Sequence, residues 1–283
     1  MTPKLELLHQ ILMRLLSHLV LKSKIQELKK NYPLIAIPTT AGSGAEVTSN
    51  AVIYINNVKY SVESKLLIPS YFILIPKLIL RNPKKLKSSS GFDAIAQALE
   101  SLISKKSNDQ SVEYASKSLK ISIKSYISFL NDPNLKNAAE MSIASNLAGR
   151  AISISKTTAP HAVSYPFTSL FNVSHGHAVS LFFESFFKFN HDNQNKSETS
   201  FNLNKRFSLI FNLFKTQNIN DFNSKISIIK KKAKLEGNLT KLNINIEKSS
   251  DKIIKGINLL RLGNNPVKID GDDIFKIILK KNI

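Results

Sequence analysis

A short, incomplete α/β portion followed by a longer, mostly helical one is the fold class this sequence predicts, with the change near residue 82. Three observations carry that expectation. Apolar strand-like runs, bounded by prolines or small polar residues, are confined to 33–38, 51–55, 59–62 and 71–74. After Pro83, apolar residues recur at helical spacing in one segment after another. The length of 283 residues, 42% of them hydrophobic, is enough for one large core or two smaller ones.

Taken in order, Leu5, Leu8, Leu12, Leu15 and Leu19 mark an amphipathic helix over about 4–29. The fully apolar run at 33–38 reads as a strand of the kind buried in a parallel sheet. The small-residue turn at 39–46 then sets Thr39, Thr40 and Ser43 at that strand's C-terminal end, where nucleotides bind in open α/β sheets. One helix and a few strands cannot cover both faces of a parallel sheet, so a partner or a further N-terminal piece is expected to complete residues 1–82. In the second portion, Ser88, Ser89 and Ser90 offer N-caps for a helix over 93–103. Further helices are expected over 111–130, 133–153, 179–187, 207–215, 219–235, 246–260 and 272–280, with 190–204 a polar loop.

The formal charge is +20. Such a charge suggests a nucleic-acid binder, but its make-up argues against one. Arg occurs only at 14, 81, 150, 206 and 261, and the lysines are spread along the whole chain. Base reading and stacking rely on Arg and clustered aromatics. Abundant Lys, Asn, Ile and Ser together are what AT-rich codons yield, so no nucleic-acid partner is expected. There is no cysteine, which excludes disulfides and thiolate ligands and fits a reducing compartment. The longest apolar run, 66–80, is interrupted by Pro69, Pro76 and Lys77 and does not suit a bilayer span. A cytoplasmic protein without a membrane partner is expected.

The chemistry concentrates in three segments. Asp93 and Gln97 are four residues apart and share one helix face. His161 follows Pro160, and His175 and His177 flank Gly176. Imidazoles converging on an aspartate are the usual makings of a catalytic cation site. Each residue alone is ordinary: an Asp near a helix start often only answers the helix dipole.

Pro38-Thr39-Thr40-Ala41-Gly42-Ser43-Gly44-Ala45-Glu46 resembles the signature turn of the iron-containing (group III) alcohol dehydrogenases. Gly91-Phe92-Asp93-Ala94-Ile95-Ala96-Gln97-Ala98-Leu99-Glu100 resembles that family's first metal-ligand helix, and 161–177 its second ligand region. The resemblance implies a dehydroquinate synthase-like architecture, with a dinucleotide-binding α/β domain, here partial at 1–82, and a helical metal-binding domain at 83–283. It implies that Asp93, Gln97, His161 and His175 hold Fe(II) or another divalent metal. It further implies that Thr39, Thr40, Ser43, Asn50 and Lys59 line NADH or NADPH. The partner would be a small aldehyde or alcohol substrate, and a homodimer stays open.

Two departures narrow the resemblance. Most members have His where this chain has Gln97, and a second His where it has Tyr165. Gln97 still binds a hard ion through its amide oxygen, more weakly than imidazole does. With the stretches 157–165 and 174–179, and Asn264-Asn265-Pro266-Val267 near the C-terminus, these residues are similar to the phosphonoacetaldehyde reductase branch. A phosphonate would need a cation, for which Lys156 and Arg150 are the candidates, and Tyr165 or His177 would relay the proton. The family's Gly-Gly-Gly-Ser diphosphate loop has no counterpart here, so a shortened enzyme is expected. The alternatives are an inactive remnant serving as a binding or oligomerisation module, or another group III dehydrogenase acting on a small alcohol or sugar acid.

Overall fold

The computed structural model describes residues 32–55 and 58–279, so the helix expected over 4–29 lies outside the described residues. Strand β1 (Ile35–Ala36) pairs in parallel with β4 (Tyr71–Phe72), Ile35 opposite Tyr71. Strands β2 (Asn50–Ile55) and β3 (Val58–Glu63) form a separate antiparallel hairpin whose register runs from Asn50 opposite Glu63 to Ile55 opposite Val58. The expected strands are therefore found, but in two small sheets.

The expectation of a buried strand at 33–38 is corrected. Leu34, Ile35 and Ile37 are 52%, 56% and 45% exposed. Two paired residues per strand leave the run without a second layer among the described residues, so its apolar side chains stay open.

Helix α1 (Pro76–Leu80) leads into α2 (Lys84–Ile103), the axis of the helical part. Pro83 stands at the N-cap of α2, so Ser88, Ser89 and Ser90 are not caps but lie inside it. The Tyr126 hydroxyl donates to the Ser88 carbonyl at 2.5 Å, and Ser90 turns its hydroxyl back to the Leu86 carbonyl. Helices α3 (Asp109–Asn131) and α4 (Leu135–Ser155) each open on a capping box, with Asn108 and Asn134 as the caps. Both pack on α2, and every residue from Gly91 to Ile103 is buried.

The remaining helices are α5 (Ala159–Phe171), α6 (His175–Ser180), α7 (Phe183–Asp192), α8 (Leu203–Phe214), α9 (Ile219–Lys232), α10 (Ile246–Lys255), α11 (Leu259–Leu262) and α12 (Gly271–Leu279). The single helix expected over 246–260 is broken at Gly256, and the one expected over 179–187 is two.

One core gathers the inner faces of α2, α3, α4, α7, α8 and α9 around Phe92, Phe129, Phe187, Phe207 and Phe222. A second packs Phe167 and Phe182 against Ile246, Ile253 and Ile274. Phe183 stacks on Phe187 at 4.4 Å and meets Phe92 edge-on at 5.7 Å, fixing α7 against α2. Truncating any of these buried rings to Ala costs about 3–5 kcal/mol. Among the described residues no helix is long and apolar enough to cross a membrane.

Candidate metal centre

Helix α2 sets Asp93, Gln97 and Glu100 on one face, because residues four and seven apart lie one above another. All three are buried. The Gln97 amide Nε2 donates to Asp93 Oδ2 at 2.9 Å, which orients both side chains. The other end of that amide, Oε1, is buried with no hydrogen-bond partner. A buried orphan acceptor costs about 1–3 kcal/mol and asks for an explanation.

His161 comes from the first turn of α5 and reaches α2 through its side chain. Its Nε2 lies 3.1 Å from Asp93 Oδ1, and its Nδ1 lies 2.5 Å from Glu100 Oε1. Glu100 Oε2 accepts in addition from the Thr158 backbone N–H at 2.7 Å and the Thr158 hydroxyl at 2.8 Å. One carboxylate thus pins both the start of α5 and the imidazole it carries. Sequence reasoning missed Glu100, because one more Glu on a helix carries no signal until its fully buried position is known.

The start of α5 is held from the other side by Asn264. Its Nδ2 donates to the carbonyls of Ser155 and Thr157, at 2.8 and 3.0 Å. Asn265 lies 3.4 Å from the Ala159 N–H and exchanges amide bonds with Asn190.

His175 opens α6 and brings Nε2 to 3.8 Å from Asp93 Oδ1, with its side chain 38% exposed toward the cleft. The crossing of α6 over α2 is very close. A Cβ added at Gly176 would stand 2.0 Å from the Ser89 carbonyl oxygen and 2.8 Å from Asp93 Cβ. Only glycine permits that approach, and it carries His175 to the aspartate.

One ligand atom each from Asp93, His161 and His175 lie within 4.8 Å of one another. Gln97 lines the same cleft, and its Oε1 would make the donor set one carboxylate, two imidazoles and one amide oxygen. That set suits a divalent first-row metal, and it explains the orphan oxygen. The residues present therefore fit a metal ion. Burial pulls His161 toward the neutral form, but Glu100 and Asp93 outweigh it and push the imidazole up to about 9.

These residues line a cleft of about 360 Å³. Ser43 and Asn50 stand on its opposite wall, and Lys156, Thr168 and Arg261 on its rim. The Ser43–Asn50 turn is anchored to α4 by Glu46, whose buried carboxylate accepts from Asn146 at 2.9 Å. Thr39 and Thr40 are not among the lining residues, although the Thr39 carbonyl accepts from Asn82. Lys59 belongs to β3.

Tyr165, one turn on from His161, is mostly buried, with its ring 6.0 Å from that of His175. Burial raises its pKa, and the Arg261 hydrogen bond opposes the rise. His177 is not brought to the cleft. It lines a separate cavity of about 540 Å³ with Lys84 and Lys85, and its Nε2–H donates to the Glu236 carbonyl at 2.7 Å. Its backbone N–H donates to the Ser89 hydroxyl on α2, so the crossing that delivers His175 to the cleft turns the buried His177 ring away from it. Arg150 likewise lies away from the cleft, bonded to Asn146 and resting on the Phe72 and Tyr114 rings.

Comparison with known proteins gives this arrangement its context. The model for the Fe-containing alcohol dehydrogenase family, C-terminal, matches residues 87–282, and the model for iron-containing alcohol dehydrogenase matches residues 8–76.

The chain belongs to the iron-containing alcohol dehydrogenase family.

Among the relatives in this family, 4-hydroxybutyrate dehydrogenase of Clostridium kluyveri is 32% identical over 154 residues, covering 53% of this chain and 42% of the relative. Phosphonoacetaldehyde reductase of Streptomyces viridochromogenes is 28% identical over 161 residues, 56% of this chain and 41% of the relative. Among solved structures, sulfoacetaldehyde reductase from Bifidobacterium kashiwanohense in complex with NAD+ superposes with a TM-score of 0.80 at 27% identity, over 90% of this chain and 66% of that one. The chain thus spans about two fifths of these curated relatives and just under two thirds of that structure. An α/β segment followed by a longer helical part, the order found among the described residues, is the fold class the sequence predicts.

Proposed function

We propose that this chain carries the metal-binding side of a metal- and nicotinamide-dependent alcohol dehydrogenase acting as an aldehyde reductase. In this reading residues 83–283 are the metal-binding part and 1–82 belong to the nucleotide-binding part. The observation that carries the proposal is the convergence of Asp93, His161 and His175, beside the orphaned Gln97 oxygen, in one cleft. The finer reading is reduction of phosphonoacetaldehyde to 2-hydroxyethylphosphonate. It is supported by Gln97 and Tyr165 standing in the site, and by relatives named for phosphonate, sulfonate and carboxylate compounds.

In this reading Asp93, Gln97, His161 and His175 hold the divalent metal, Fe(II) in the family's usual form. When bound, the metal supplies Lewis-acid polarisation of the carbonyl oxygen and the reduced nicotinamide supplies the hydride. Glu100 keeps the proton of His161 on Nδ1, which leaves the Nε2 lone pair directed at the metal position. Tyr165 keeps its proton at Oη, because burial disfavours the phenolate. Its hydroxyl would hydrogen-bond to the product oxygen, and the proton that completes the alcohol would come from water. Ser43 and Asn50 face the metal ligands across the cleft and are assigned to the nicotinamide end of the cofactor, with Thr39, Thr40 and Lys59 farther along it.

The test is oxidation of NADH or NADPH by the Fe(II)-loaded chain on adding phosphonoacetaldehyde under anaerobic conditions. Cofactor oxidation that disappears in the His161→Ala, His175→Ala double variant supports the reading. Saturable metal binding without any cofactor binding would instead favour a chain that retains the metal site as a binding module.

A further inference from the structure

We infer that Arg261 is the residue that reads the substrate, by receiving a terminal oxyanion on the aldehyde; the inference rests on the aldehyde-reductase reading of the cleft. Four observations lead to it. Arg261 lines the same cleft as Asp93, His161 and His175. It is half-buried, and its guanidinium donates to the Tyr165 hydroxyl, which leaves most of its donors uncommitted to that bond. No carboxylate among the described residues lies within ion-pair distance of it. Lys156, the other cation on the rim, is already paired with Glu63 and bonded to the Ser153 carbonyl.

The charges near the cleft then favour an anion. Lys156 and Glu63 cancel, the Asp93 and Glu100 carboxylates together offset the charge of a divalent metal, and Arg261 remains. A half-buried guanidinium with no counter-ion among the described residues favours an anionic ligand. A phosphonate, sulfonate or carboxylate presents coplanar oxygens that suit its fork.

The chain builds a specific seat for Arg261. Pro166 has no N–H, so within α5 the Ala162 carbonyl loses its helical partner. The Asn258 backbone N–H takes that place at 3.2 Å. Gly256 lies on the Pro166 ring, where a Cβ would come within 2.9 Å of Pro166 Cβ. The Asn258 side chain then caps α11 by accepting from the Arg261 N–H at 3.0 Å. A missing hydrogen bond one turn beyond His161 therefore docks the short helix that carries Arg261. The guanidinium lands on Tyr165, beside the metal ligands. A substrate whose oxyanion is separated from its carbonyl by a short chain would span the two.

The test uses the full chain loaded with Co(II), whose visible d–d bands respond when an alcohol enters the coordination sphere. 2-Hydroxyethylphosphonate, 2-hydroxyethanesulfonate and 1-propanol are titrated separately. The wild type is expected to bind the two anions about 10- to 100-fold more tightly than 1-propanol, as fits a charge-assisted contact. Arg261→Ala should abolish that preference and leave the 1-propanol titration unchanged. Arg261→Lys should keep part of it, since it retains charge without the fork. Tyr165→Phe should keep most of it. Preference for the phosphonate alone or for both anions supports the inference and tells the headgroups apart. If Arg261→Ala weakens all three ligands equally, or leaves the preference intact, Arg261 only positions Tyr165 and the inference is overturned. If none of the three ligands shifts the bands of the wild type, the aldehyde-reductase reading itself fails, and the inference with it.

Discussion

The two walls of the cleft are built differently. On the helical wall, Asp93, Gln97, Glu100 and His161 are all buried, and they hold one another through Gln97–Asp93, His161–Asp93 and His161–Glu100 contacts. On the opposite wall, Ser43 is exposed, and the strand that leads to it has Ile35 and Ile37 open at its surface. The helical wall presents its donors in place before any ligand arrives, and rigid placement is what a metal site needs. The segment at 39–50 is held from behind, by Glu46 bonded to Asn146, by Ala41 in the core and by the close approach of Gly44 to Gly149, and none of these contacts fixes Ser43 itself. Metal binding and cofactor binding should therefore respond very differently to substitution and to pH.

The largest effect is expected on the helical wall. His161→Ala removes a donor and leaves Asp93 and Glu100 facing each other across the gap. Metal affinity, measured by competition with a chromophoric chelator, should fall by more than about 100-fold, the upper end of what losing a mere orienting partner costs. Cofactor affinity should barely change. Equal losses in both would erase the contrast between the walls.

The pH dependence comes next. His161 is held protonated to about 9 in the metal-free chain by Glu100 and Asp93, against the pull of burial. Metal must displace that proton, so affinity should rise about tenfold per pH unit from 7 toward 9 and then level. Stability of the metal-free chain should move the opposite way. The folded pKa lies above the unfolded value near 6.5, so this contribution is complete below about 6.5 and is lost as pH rises through about 9. Thermal melts of metal-free and metal-loaded protein across that window check both signs.

Glu100→Gln keeps the shape but removes the charge behind His161, and it should weaken metal binding by about 10- to 100-fold. Gln97→His should strengthen it, by about tenfold, since imidazole is the better donor. At the small end, Ser43→Ala should weaken nicotinamide binding only about 2- to 10-fold, the range of one neutral hydrogen bond, and leave metal affinity untouched.

Much of the helical wall was legible in the sequence. Asp93 and Gln97 announced a shared face by their spacing, and His161 and His175 stood in segments of distinctive composition, Pro160-His161 and His175-Gly176-His177. The rest was hidden for identifiable reasons. Helix α5 escaped notice because Pro160 and Pro166 bracket it; the first lies in its opening turn and the second inside it, where the lost bond is made good by Asn258. Glu100 and Arg261 became visible only when burial and the cleft were known, because their partners are far away in sequence. The spacing could not show which way His177 faces, because neighbours on a short helix point in different directions, and the glycine that admits His175 sends His177 to Ser89 and Glu236. The strand at 33–38 read as buried from its composition, yet pairing across two residues cannot bury it.

The central claim is that Asp93, Gln97, His161 and His175 hold one divalent metal ion. Metal content and affinity of the purified chain test it most directly, measured under anaerobic reconstitution with Fe(II), Co(II) and Zn(II) beside the His161→Ala, His175→Ala double variant. The expected result is close to one ion per chain in the wild type and none retained by a double variant that still melts cooperatively. Full metal occupancy surviving in that folded double variant would contradict the claim.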